Sequence, residues 1–236
     1  MEVYTGTSGF GYKEWKGNFY PEDLSAKKML PFYANRFSTV EINNTFYRMP
    51  TATVVASWAE QVPQGFLFTL KAPQIITHIK RLQGVGEETR YFLGVISVLD
   101  KKLGCILFQF PASFHKNLKL LEGFIDIIPP KVHCAFDFRS ASWFGQDTFD
   151  LLGKRKFCLG IEDTDENPIN EIHRLTSWGY YRMRRQDYTD RGLKKWAEKF
   201  LSQKWEKLFV LFKHEDDSAA KGPALALRFA EIVKQL

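Results

Sequence analysis

Polar and charged residues gather at the ends of apolar runs along this chain of 236 residues. Glu41 and Asn43 close one run, with Tyr47 and Arg48 just beyond it; Lys71 closes another, ahead of Thr77 and His78. Gln109, the pair Asp137 and Arg139, Glu162, the pair Arg182 and Arg184, and the pair Lys213 and His214 hold the same place in later runs. Charges at the ends of buried strands are costly unless paired, so this many together predict a polar pocket. Arg48, Lys71, Arg139, Arg182 and Lys213 stand against Glu41, Asp137 and Glu162. That excess of cations favours an anionic ligand, a phosphate or carboxylate held by guanidinium forks. Glu41, Asp137, Glu162 and His214 are the expected catalytic groups, as general acid or base or as holders of a divalent ion. Histidines are too few for a zinc cluster, so an ion would be Mg or Mn on oxygen ligands. Asn43, Tyr47, Arg48, Lys71, His78, Gln109, Arg139, Trp143, Arg182 and Lys213 are the expected substrate contacts. Tyr47, Trp143 and Trp15 fall in loops where a ring can stack on a sugar or base, and core packing is the competing expectation.

The runs that carry these residues are Val3–Ser8, Thr39–Asn43, Phe66–Lys71, Gly104–Phe110, Val132–Phe138, Phe157–Glu162, Trp178–Met183 and Leu208–Phe212. They are rich in Val, Ile, Phe and Tyr and mostly lack polar alternation, which fits strands covered on both faces. Amphipathic stretches separate them: Leu24–Phe37, Thr53–Gln61, Thr89–Leu99, Leu118–Ile128, Asp147–Leu152, Leu193–Leu201 and Ala220–Leu236. Only the connection from Glu162 to Trp178, with Pro168 inside it, reads as poorly helical. Strands and helices alternating in this number predict a TIM-like (β/α)8 barrel, in the α/β class, filling residues 1–236 as one domain. The dinucleotide fingerprint and the P-loop pattern are absent, which counts against an open doubly wound sheet. In a barrel the chemistry sits at the C-terminal strand ends. Alternation puts Asp137 and Arg139 on one side of their strand and Phe136 and Phe138 on the other. With the phenylalanines toward the helices, Asp137 and Arg139 point into the mouth.

Composition sets the compartment and the partners. The chain has 33 Lys and Arg against 27 Asp and Glu, a net charge of +6 and a pI near 9.1. Hydrophobic residues at 44% and charged residues at 25% exclude disorder, collagen and a coiled-coil rod. The opening MEVYTGTSGF lacks the basic and apolar regions of a signal peptide, and no apolar stretch is long enough for a membrane span. A cytoplasmic protein without a membrane partner is expected. Cys105, Cys134 and Cys158 lie in separate apolar runs without C-x-x-C spacing and are expected to be reduced, buried thiols. His115, His133 and His173 have no partner at metal spacing.

Three functions compete at this point. The first is an enzyme acting on a phosphorylated or nucleic-acid-like anionic substrate at the mouth, with metal-assisted hydrolysis as one form. The second is a glycan-active enzyme in which carboxylates such as Glu41 and Glu162 flank the sugar bond. The third is a non-catalytic binder of nucleic acid or an anionic metabolite. It is motivated by Arg182–Lys207, with nine cations and four anions.

Several segments carry a resemblance. GTSGFGYKEWKGNFYP (Gly6–Pro21), TVEINNTFYRMP (Thr39–Pro50), LKAPQIITH (Leu70–His78), LFQFPASF (Leu107–Phe114), DFRSASWF (Asp137–Phe144) and VLFKHEDDSAAKGPALAL (Val210–Leu227) occur in order along nearly the whole chain. Together they resemble the signature segments of the YecE-like family, a domain of unknown function. The resemblance implies a TIM-barrel-like fold and supplies no reaction. It also marks two departures. Asp137 stands where the family usually has Glu, a carboxylate one methylene shorter. Arg184-Arg185 stands where the family usually has His-Gly after the seventh strand, so a catalytic role of that His in relatives would not transfer.

Overall fold

The structure, a computed structural model, describes residues 1–213 and 220–236. In chain order its elements are β1 (Glu2–Thr7), α1 (Ala26–Ala34), β2 (Thr39–Ile42), α2 (Asn44–Tyr47), α3 (Ala52–Glu60) and β3 (Leu67–Lys71). There follow α4 (Gly86–Ile96), β4 (Leu103–Phe110), α5 (Leu118–Ile125), β5 (Cys134–Phe138) and α6 (Gln146–Lys154). The last are β6 (Cys158–Asp163), β7 (Trp178–Met183), α7 (Asp190–Leu201), β8 (Lys207–Phe212) and α8 (Lys221–Gln235). The strands pair in parallel in the order β1-β8-β7-β6-β5-β4-β3-β2. This is the expected TIM-like barrel, nearly closed.

The seam between β1 and β2 is a single parallel bridge, Ser8 to Glu41. Gly6 permits the approach, because a Cβ there would lie 2.0 Å from the Thr39 carbonyl oxygen. The buried Tyr33 hydroxyl from α1 stitches the same seam. It accepts from Thr7 N at 2.7 Å and donates to Thr39 O at 3.2 Å.

Alternation along the strands builds two cores. Outward-facing Phe108, Phe136 and Phe138 stack among themselves and against Phe124 of α5 and Trp143. Inward-facing Leu67, Cys105, Leu107, Ala135, Tyr180, Phe209 and Leu211 belong to a second cluster that fills the barrel. Continuing the alternation along the strands carries the inward face to Ser8, Lys71, Gln109, Asp137, Glu162, Arg182 and Lys213. The apolar plug therefore ends where the polar mouth begins.

The helices shield the outer core. Leu121, Phe124 and Ile125 are the buried stripe of α5, and Leu193, Ala197 and Phe200 that of α7. Burying each of the Leu, Ile and Phe side chains among them stabilises by roughly 1.5–3 kcal/mol. Side-chain caps start both helices: Asn117 Oδ1 accepts from Leu120 N at 3.0 Å and Thr189 Oγ1 from Gly192 N at 3.1 Å.

Every expected strand is present, with ends shifted by a residue or two. The helix expected at Thr89–Leu99 starts earlier, at Gly86, and runs into a 3₁₀ segment over Ser97–Lys102. Four short elements were not expected: α2, a π-helical turn over Ile75–Ile79, and 3₁₀ turns over Lys13–Trp15 and Ala141–Trp143. Each is a single turn, too short to show a periodic pattern. No helix separates β6 from β7, in line with the composition of that connection. The three cysteines are free and buried. Among the described residues, no helix is long and apolar enough to cross a membrane.

Candidate functional site

One side of the mouth is an ion-pair network spanning β2, β5, β6 and β7. Glu41 is fully buried. Arg182 grips it through two bonds, Nε to Oε2 and Nη2 to Oε1, each 3.0 Å, and the Tyr180 hydroxyl donates to Oε2 at 2.5 Å. Burial opposes ionisation of Glu41, but Arg182, the Tyr180 hydrogen bond and Lys71 outweigh it and lower its pKa to about 2. Arg182 continues to Glu162, with Nη1 3.2 Å from Oε1, and stands 3.7 Å from Asp137 Oδ2. Glu162 also meets Arg184 Nε at 2.6 Å and pairs with Arg139. Asp137 accepts from Gln109 Nε2 at 2.9 Å and lies 3.4 Å from Arg139 Nε. Burial and the neighbouring Glu162 raise the Asp137 pKa, against the pull of Arg139 and Arg182.

The other side is built by β1, β3 and the loops after β2 and β3. Lys71 ends β3 with its ammonium nitrogen 4.1 Å from the centre of the Phe46 ring. Among the described residues no carboxylate lies within ion-pair distance of it. Burial lowers its pKa to about 8, helped by Arg182 and opposed by Glu41 and Asp137. His78 sits edge-on to the same Phe46 ring and shares a 2.9 Å hydrogen bond with Thr77 through Nδ1. Burial, with Lys71, Arg81 and Arg139 nearby, lowers its pKa. His78 lies on the π-helical turn, a distortion frequent at functional sites. Ser8 Oγ and Asn43 Oδ1 are buried and, among the described residues, have no hydrogen-bond partner. Such orphans are rare and call for a ligand or water.

The remaining expected residues separate. Tyr47, 74% exposed, lies beside Phe46 on the outer rim, and Arg48 is exposed next to it. Lys213 follows β8 with its backbone N bonded to Met183 O. His214 lies outside the described residues. Trp143 is corrected: it is 1% exposed, stacked on Phe138 and Phe114, with its indole N–H given to Phe114 O. Its ring finishes the outer phenylalanine stack, so it is core and not platform. Trp15, also 1% exposed, is core too. The expected surplus of free cations is smaller than charge counting implied, because Arg182 and Arg139 pair with Glu41 and Glu162. The same pairing places Arg182 between those two carboxylates, where a flanking glycosidase pair would need sugar. Among the described residues no three His, Cys, Asp or Glu side chains gather as a metal site. The carboxylates expected to hold an ion face guanidinium groups instead.

The basic stretch after β7 also divides. Arg182 is in the mouth, while Arg191, Lys194 and Lys195 lie exposed on α7. Sequence reasoning missed Tyr180, although its position two residues before Arg182 puts it on the same strand face. It also missed a second carboxylate hub at Asp163, buried on the opposite face of β6 from Glu162. Asp163 accepts from Arg185 Nε at 2.7 Å, from the Tyr188 hydroxyl at 2.8 Å and from Ile169 N at 2.9 Å. That hub ties down the connection after β6. Between the ends of β5 and β6 and that connection opens a groove of about 460 Å³, lined by Asp137, Arg139, Glu162, Asn167, Ile169 and His173 among others.

The family model described as "Protein of unknown function DUF72" matches residues 4–236. The chain belongs to the DUF72 family. The UPF0759 protein YecE of Escherichia coli K12 is 32% identical over 115 residues, 48% of this chain and 42% of YecE. The UPF0759 protein YunF of Bacillus subtilis is 28% identical over 160 residues, 63% of this chain and 54% of YunF. The matched stretches thus span about half the length of these relatives. A crystal structure of the DUF72 family protein TM1631 of Thermotoga maritima has a TM-score of 0.83 at 28% identity, covering 99% of this chain and 100% of that one. The DUF72 family protein EF0366 of Enterococcus faecalis shares the fold, with a TM-score of 0.80 at 19% identity over 98% of this chain and 95% of that one. Within this DUF72 chain, Arg184 and Arg185 each have a carboxylate to meet. Arg184 turns to Glu162 and Arg185 to Asp163.

Proposed function

We propose that this chain is an enzyme acting on a phosphorylated or nucleic-acid-like anionic substrate bound across the C-terminal mouth. The observation that carries the reading is Lys71, a half-buried cation near Arg182 that, among the described residues, has no carboxylate at ion-pair distance and rests over Phe46. A cation held in that place is costly, and an anionic substrate offsets the cost. Arg139, 37% exposed at its side chain, and Arg184 are the cations nearest the rim through which phosphate oxygens enter in this reading. Asp137, whose pKa burial raises, and His78, whose pKa burial lowers, are the acid and the base of this reading. Perturbed groups in a cleft are candidates for such roles. Barrels with polar C-terminal mouths are commonly enzymes, which supports the catalytic form without naming the reaction.

The test is a thermal-shift and calorimetric titration with inorganic phosphate, sugar phosphates and a single-stranded oligonucleotide, followed by mass spectrometry of each mixture for product. Saturable, salt-sensitive binding by wild type and its loss in Lys71→Met are expected. Absence of binding by every anion at low salt overturns the reading.

A further inference from the structure

The mouth leaves Arg48 unused. Arg48 follows α2 and lines a separate pocket of about 300 Å³ between α2 and α3. Met49, Pro50, Val54 and Trp58 form the apolar part of its wall. Val54 and Trp58 lie four residues apart on α3 and so share one face of that helix. Val54 is 44% exposed, and Trp58 is half-buried with its ring tilted against Phe68. Together they leave apolar surface in water that a ligand would cover. Three polar groups on the same wall lack a partner. Among the described residues, the Arg48 guanidinium has no carboxylate within ion-pair distance, and neither the Trp58 indole N–H nor the Asn44 side-chain amide has a hydrogen bond. The two hydroxyls of the wall are already committed. Thr51 Oγ1 accepts from Val54 N at 3.4 Å as the cap of α3, and the Thr45 hydroxyl donates to Lys71 O at 2.6 Å. All three unused groups offer N–H donors, so the partner they lack is an acceptor. A concave apolar wall with a few polar groups of this kind is the usual form of a small-molecule site.

We propose that this pocket binds a small apolar monocarboxylate, with the carboxylate on Arg48 and a ring or branched chain against Met49, Val54 and Trp58. The site goes beyond the anionic-substrate reading and does not depend on it, since none of the residues used there lines the pocket. A planar guanidinium matches a carboxylate through two parallel N–H bonds. One guanidinium meets one negative charge, whereas a phosphate monoester brings a second charge that nothing in this wall answers. The pocket is at the small end for ligand sites, which sets the body of the ligand near a single substituted ring. Met49 can follow the outline of such a ring, and its thioether gains from a ring edge. Arg48 is exposed, so the apolar contact supplies most of the affinity and the ion pair supplies the preference for a carboxylate.

The experiment is a fluorine NMR titration with para-fluorobenzoate, with para-fluorobenzamide as the uncharged counterpart and acetate as a carboxylate without an apolar body. Wild type is expected to bind the benzoate saturably, the amide roughly 5-fold more weakly and acetate not measurably. Arg48→Met is expected to bring the benzoate to the affinity of the amide and to leave the amide unchanged. Val54→Trp fills the pocket and is expected to abolish binding of both. Arg48 and Val54 are exposed, so both variants are expected to fold as wild type does. If the larger residue disturbs α3, Arg48→Met carries the test by itself. Lys71→Met is expected to bind the benzoate as wild type does, and inorganic phosphate is expected not to displace it. Absence of benzoate binding, equal affinity for benzoate and amide, or benzoate binding that survives Val54→Trp overturns the proposal. Displacement by phosphate with loss in Lys71→Met also overturns it, by putting the probe in the mouth, and leaves the anionic-substrate reading standing.

Discussion

The two sides of the mouth are made of the same residue types and behave oppositely. On the side of β5, β6 and β7, Glu41, Asp137 and Glu162 each face at least one guanidinium, and Arg182 joins them across the barrel from β7 to β2. On the side of β1 and β3, Lys71, Ser8 and Asn43 hold polar atoms that have no hydrogen bond or ion pair among the described residues. A fully satisfied buried network rigidifies, while an unsatisfied one carries a free-energy deficit that a ligand can remove. The first side holds the barrel mouth in shape; the second side is where a substrate gains most by binding. Charge count alone does not separate them, since both contain cations.

The sharpest way to break this contrast is Arg182→Met. It leaves Glu41 buried without its guanidinium, and breaking such a pair costs about 3–5 kcal/mol. Urea unfolding at neutral pH is expected to register a loss of that size. A loss under about 1 kcal/mol would mean that the network is not structural.

Acid acts on the same side, with a somewhat smaller effect. The folded pKa of Glu41 is lowered from 4.5 to about 2. Its stabilisation is therefore fully present above pH 4.5 and is lost as pH falls through 2. The shift corresponds to about 3 kcal/mol. Unfolding followed between those pH values is expected to show this slope in wild type and a smaller slope in Glu41→Gln.

Lys71 contributes with the opposite sign at neutral pH, although its slope against pH runs the same way as that of Glu41. Its pKa is lowered from 10.5 to about 8, so the folded state disfavours the ammonium. Below pH 8 the group carries its full penalty. Between 8 and 10.5 the unfolded chain holds a proton that the folded one has shed, and stability rises with pH. Lys71→Met removes the penalty at neutral pH, with an expected gain of about 1–3 kcal/mol, and flattens the alkaline rise. It is also expected to abolish phosphate binding. A variant that gains stability while losing binding separates the two sides directly; a destabilised Lys71→Met would place Lys71 with the structural network.

Much of this architecture was legible from residue patterns. The eight strands could be read because each is a short Val, Ile, Phe or Tyr run bounded by polar residues, and a strand covered on both faces needs nothing else. Asp137 and Arg139 could be placed in the mouth because Phe136 and Phe138 fixed the opposite face. Pairing was not legible. Whether Arg182 is free for a ligand or bound to Glu41 depends on residues 141 apart meeting across a closed barrel, which no local spacing encodes. Trp143 failed for a related reason. It follows a strand end in sequence, but a 3₁₀ turn over Ala141–Trp143 returns it to the stack on Phe138. His78 was placed correctly past β3, yet the π-helical turn that presents it leaves no periodic trace.

The smallest expected effect on stability tests the boundary between the two sides. Arg184 pairs with Glu162, but Glu162 also has Arg182 and Arg139. Replacing Arg184 by Gln leaves Glu162 with both of those guanidiniums, so unfolding is expected to change by less than in Arg182→Met. Phosphate affinity behaves differently if Arg184 works at the rim. A lost charge-assisted hydrogen bond to phosphate costs about 1.5–3 kcal/mol, roughly a 10- to 150-fold weaker Kd. Measured together by calorimetry and urea unfolding, a large affinity loss beside a small stability change assigns Arg184 to the substrate. The reverse outcome would make it a third brace for Glu162 and confine the ligand to the Lys71 side.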